Sequence, residues 1–116
     1  MKQSNRHAQT PEQIKKREDR MRPSKVLGYD HESLGMYLIT IGSLDLAERA
    51  LRRAVWLNPY EPRFMKNLAL CLVKKGALQE ARDWISRALE AKPEDGENRE
   101  ILAMIEERAR PSGPEE

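Results

Sequence analysis

Residues 34–59, LGMYLITIGSLDLAERALRRAVWLNP, are echoed by residues 68–93, LALCLVKKGALQEARDWISRALEAKP. Leu34-Gly35 returns as Leu68-Ala69. Gly42 returns as Gly76, Ala47 as Ala81, Ala54 as Ala88 and Pro59 as Pro93. The offset is the same for every pair, about 34 residues, the period of a helix–turn–helix solenoid repeat. This spacing predicts an all-α chain of antiparallel helix pairs that serves as a binding scaffold. It does not name the partner.

Local signals divide the stretch further. Leu34, Tyr37, Leu38 and Ile41 recur at helical spacing, with Asp30 as a candidate cap and Gly42 as the stop. Ser43 can cap the next helix, whose apolar positions are Leu44, Ala47, Leu51, Ala54 and Val55. Asn58-Pro59 breaks it. Pro62 opens a helix striped by Leu68, Leu72 and Val73, and Gly76 ends it. Leu78, Ala81, Trp84, Ile85, Ala88 and Leu89 mark another, up to Lys92-Pro93. Asp95 to Arg110 reads as a last helix with Ile101, Leu102, Ile105 and Ala109 on one face. Its other face carries Glu100, Glu106, Glu107 and Arg110, the polar surface a terminal capping helix needs. The expected division is therefore a basic arm over 1–27, repeats over 28–61 and 62–95, a capping helix over 96–110 and a flexible tail over 111–116.

In the arm, residues 1–9 are polar and unpatterned and predict disorder. Thr10-Pro11-Glu12-Gln13 then spells a helix start with a capping box, and Pro23 ends that helix after Arg22. Only Ile14 and Met21 form its apolar stripe. Such a helix is either transient or docks on something.

Composition bounds the function. Of 116 residues, 34% are charged and 5% aromatic, so the core must be aliphatic. Cys71 is the only cysteine and lies in an apolar run, which reads as a small buried residue in a reducing, cytoplasmic setting. His7 and His31 are the only histidines and make no nucleophile–base pair, so no enzyme is expected. Neither metal-ligand spacing nor a phosphate-binding loop is present, and no cofactor is expected. No stretch is long and apolar enough to span a bilayer, so membrane contact would be indirect. The net charge of +2 hides a basic start and an acidic end. Lys15-Lys16-Arg17 with Arg20, Arg22 and Lys25 lacks interleaved aromatics and reads as a solvated segment, not a nucleic-acid site.

The repeated small residues need size, not chemistry. Gly35 and Ala69, with Ala47 and Ala81, let the helices of one hairpin approach, and Ala54 and Ala88 make room for the next repeat. Here the chain resembles the tetratricopeptide repeat family. Leu34-Gly35, Leu38, Gly42, Ala47, Leu51, Ala54 and Pro59 match one repeat. Leu68-Ala69, Leu72, Gly76, Ala81, Ile85, Ala88 and Pro93 match a second. The family's early Trp is replaced by His31 and Met65, and its mid-helix aromatic by Leu38 and Leu72.

The resemblance implies that the first helix of each repeat lines a concave surface that receives a helix or extended peptide. Carried over by position, that surface holds Tyr29, Glu32, Ser33, Met36, Ile39 and Thr40, then Arg63, Lys66, Asn67, Leu70, Val73 and Lys74. Glu97, Glu100, Ile101 and Met104 follow. Met36, Leu70 and Met104 share one register, and Ile39 and Val73 another, which predicts an apolar band rimmed by Arg63, Lys66 and Lys74. The alternative is that these residues only pack helix on helix. Lys66 and Asn67 faintly match the carboxylate clamp of some members, but Glu32 and Met36 stand where the first repeat would need cationic or amide groups. Trp56 aligns with Glu90, and is either an exposed anchor or a cover beside Tyr60 and Phe64. Tyr37 aligns with Cys71 and faces the open edge of the first repeat, where the Ile14–Met21 segment or a second copy could pack. The expected function is a non-catalytic protein-interaction module, as an adaptor, co-chaperone or assembly factor. The second candidate is a structural subunit or homo-oligomer built through the repeat edges, its basic arm contacting anionic partners.

Overall fold

Gly28, Gly42 and Gly76 all adopt positive φ, and each sits at a helix boundary. The computed structural model describes residues 8–111; His7, the expected disorder before Ala8 and the tail after Pro111 lie outside them. The described residues form six helices: α1 (Pro11–Met21), α2 (Tyr29–Thr40), α3 (Leu44–Leu57), α4 (Pro62–Lys75), α5 (Leu78–Ala91) and α6 (Gly96–Ala109). None is long and apolar enough to cross a membrane.

The helix ends follow local chemistry. Thr10 caps α1 through the expected reciprocal box with Gln13. Pro62 occupies the first turn of α4, and the Glu61 side chain accepts from Arg63 N. Asp95 accepts from the Glu97 and Asn98 amides at the start of α6. Two expected caps differ. Asp30 lies inside the first turn of α2, which begins after Gly28 at φ 100°. Ser43 stands at the start of α3, but its side chain makes no capping bond.

α2 pairs with α3 and α4 with α5, and α3 and α5 each pack on the helix that follows. The core runs through this stack. Leu51, Phe64, Leu68, Leu72, Ile85 and Ile105 are wholly or almost wholly buried, each worth about 1.5–3 kcal/mol of transfer free energy. Ala47, Ala54, Ala81 and Ala88 are fully buried where the helices meet. At Gly35 an added Cβ would lie 2.6 Å from Leu51 Cγ, so the α2–α3 crossing has no room for a methyl group. Cys71 is buried, its Sγ 3.5 Å from Leu44 O, and burial pushes the thiol pKa up. That combination disfavours the thiolate.

α1 is held in a different way. It is tied to the stack by ion pairs, not by helix packing. Arg53 on α3 reaches Asp19 at 2.8 Å and Glu18 at 3.3 Å, and His31 Nε2 lies 3.1 Å from Glu18. Arg22 donates through Nε to Trp56 O at 2.7 Å, and Ser24 N to Leu57 O at 2.9 Å.

Candidate functional site

α4 contacts both α2 and α6, the helices that carry the expected groove residues. Met36, Leu70 and Met104 are each partly buried against the core, as is Ile39. Each keeps part of its surface uncovered. Thr40 closes α2, its Oγ1 donating to Met36 O at 3.0 Å.

Two expected groove residues are placed differently. Val73 is buried in the core, because α6 lies across it; Arg108 Nη1 reaches the Val73 carbonyl at 3.4 Å. Asn67 is also buried, and its Nδ2 donates to Glu32 Oε2 at 2.7 Å. Glu32 ties α2 to α4. Its carboxylate is buried, and a buried carboxylate needs partners. Arg63 supplies a two-pronged clamp, Nε to Oε2 and Nη2 to Oε1, both at 2.9 Å. The same guanidinium lies 5.2 Å from the Tyr29 ring centroid, and Tyr29 donates to Glu61 at 2.6 Å. That hydrogen bond, helped by burial, raises the Tyr29 pKa. Lys66 pairs with Glu97 on α6. Of the three rim cations, only Lys74 has no carboxylate partner among the described residues.

Trp56 and Tyr37 lie elsewhere. Trp56 is half-exposed between two guanidinium groups, Arg22 at 4.3 Å and Arg53 at 4.9 Å from its ring. Lys25 lies 5.3 Å from the Tyr60 ring. Trp56 is thus the platform on which the arm lands. No local pattern signals this contact, because Arg22 and Lys25 lie more than thirty positions before Trp56 and Tyr60. Tyr37 is exposed on the edge of α2 beside Leu34 and Ile41. Gly28 is a further position that patterning missed. A Cβ there would meet Phe64 Cε2 at 2.6 Å and Ala54 O at 3.0 Å.

Paired helices, each pair packed on the next, define a helical-repeat scaffold. A family model for the tetratricopeptide repeat matches residues 33–96, more than half of the chain. The chain belongs to the tetratricopeptide repeat family. It is on that ground a protein-interaction module of a typically non-catalytic kind. No curated protein matches it.

Proposed function

We propose that the chain acts as an adaptor or assembly factor that holds a partner helix or extended peptide along Met36, Ile39, Leu70 and Met104. The observation that carries this reading is the shared register of Met36, Leu70 and Met104, all left partly uncovered by the core. Methionine at both ends of the strip suits apolar partners of varied shape. Lys74 and Thr40 lie exposed at the helix ends and add polar selection. Arg63, Lys66 and Asn67 act differently from free contact groups. They hold Glu32 and Glu97 and so set the shape of the strip.

The test is a Met36→Glu/Leu70→Glu variant with unchanged helical circular dichroism. Capture of protein from the native lysate is expected to fall about tenfold or more, since apolar anchors dominate such interfaces. An undiminished captured set would sink the groove reading.

A further inference from the structure

The two ends of the stack are finished in opposite ways. α6 turns Glu100, Ala103, Glu106 and Glu107 outward, the polar surface a terminal helix requires. The α2–α3 edge does the reverse. The internal repeat allows each edge residue to be compared with its buried counterpart 34 positions on. Leu68 is 0% exposed beneath α3, whereas Leu34 is 49% exposed. Cys71 is fully buried, whereas its counterpart Tyr37 is 60% exposed. Lys75 and Glu80 are charged and pair across the interior junction with Glu48 and Arg52 of α3, both at 2.6 Å. Their counterparts are Ile41 and Leu46, 54% and 51% exposed. Apolar side chains therefore replace charge at the end where solvent contact is greater.

α1 does not cover this edge. A cavity of about 650 Å³ separates Ile14 of α1 from Leu34, Leu38, Leu46 and Ala50. In the interior the corresponding surface is covered by a whole helix, α3, which brings Asp45 and Glu48 to Lys75. The charge of the slot favours an occupant of the same kind. Its lining holds Lys15, Arg49 and Arg53 with the carboxylate of Glu18, and Asp19 pairs with both Lys15 and Arg53. Glu18 is already engaged by His31 and Arg53. Arg49 is the one lining cation with no carboxylate partner among the described residues; Lys16 and Arg20, on α1 outside the lining, have none either. A second copy would set this positive excess against itself, at a cost in like-charge repulsion.

We propose that the slot between α1 and the α2–α3 edge receives an amphipathic helix of a partner protein, apolar along one stripe and acidic on its flanks. The helical register puts this surface on the side of α2 away from Met36 and Ile39. The site is independent of the proposed groove.

The probe is a model helix of about sixteen residues, with Leu at i, i+3, i+4 and i+7 and Glu on the flanks. A control peptide carries Lys in place of Glu. Both are titrated into the full chain while backbone amide shifts are recorded. The Glu peptide is expected to shift the amides of Leu34, Leu38 and Leu46, and the Lys peptide to bind at least about tenfold more weakly. Leu46→Glu and Leu34→Glu alter exposed side chains of the lining, so each tests the site if the other fails to fold. Each is expected to weaken the Glu peptide by about thirtyfold. Arg49→Glu should weaken it as well, and Met36→Glu should leave it unchanged. Equal binding of the two peptides, binding of neither, or shifts centred on Met36 and Leu70 would overturn the proposal. So would a dimer in sedimentation that Leu46→Glu dissociates. Capture of phosphatidylserine-containing vesicles that Leu46→Glu abolishes would assign the patch to a membrane and overturn it too.

Discussion

Glu32 and Gly35 lie one helical turn apart on α2 and show how single positions set this surface. Glu32 is an acid in a buried place, and the cost of removing its charge from water is offset by Arg63 and Asn67 together. Two groups that sequence alone assigned to a partner are therefore engaged by Glu32 within the protein. Gly35 acts through absence. An alanine methyl group would sit 2.6 Å from Leu51 Cγ and 2.8 Å from its Cδ2, and Leu51 is fully buried with nowhere to move. Gly35→Ala is expected to destabilise the fold by about 1–3 kcal/mol in urea titration. Stability equal to the parent would mean that the α2–α3 crossing is looser than its geometry indicates.

At the scale of elements, α1 is the exception among the six helices. α2 to α6 bury apolar faces, while α1 has no buried residue. Its place depends on Arg53, His31, Arg22 and Trp56. The Arg53 hydrogen bond, opposed by partial burial and aided by Lys15, holds the Asp19 carboxyl pKa below its usual value. A carboxyl lowered on docking favours the docked state above its free pKa, and that advantage is lost as the pH falls through the carboxylate range. α1 is thus expected to remain docked at neutral pH and to detach below about pH 4. Amide exchange should show this as lost protection in Lys15–Met21 while α4 and α5 stay protected. Arg53→Ala should lower the same protection about five- to tenfold at neutral pH. Protection in α1 that ignores both changes would mean that other contacts hold it.

For the whole molecule, a stack of two repeats depends on its last helix. α6 contributes Ile101 and Ile105 to the common core and closes the face of α5. A chain ending at residue 95 loses about 1.5–3 kcal/mol for each of those side chains. It also exposes the surface they covered. Its thermal midpoint is expected to fall by about 10 °C or more in circular dichroism. An unchanged midpoint would show that α6 is an appendage. The same scale explains the contrast between the two ends: one is closed by a polar-faced helix, the other by an arm that leaves a slot.

The period, the small residues and nearly all the helix boundaries were legible in the amino-acid sequence. These features depend on backbone geometry and side-chain volume, and they repeat, so each position has a second witness. Gly42 and Gly76 end their helices with left-handed backbone as glycine at a helix stop implies. The partial burial of Met36, Leu70 and Met104 follows the same register. Which polar groups stay free was not. Arg63 finds Glu32 across 31 positions, Asn67 finds it across 35, and Arg53 finds Asp19 across 34. Such pairings exist only once neighbouring helices are set side by side, because an ion pair is decided by distances of a few ångströms that no local pattern encodes. The repeat at 34–59 and 68–93 therefore determined by itself that the chain would stack. Only the tertiary structure decided that Val73 and Asn67 turn inward, and that the apolar edge at Leu34 and Leu46 is left open beneath α1.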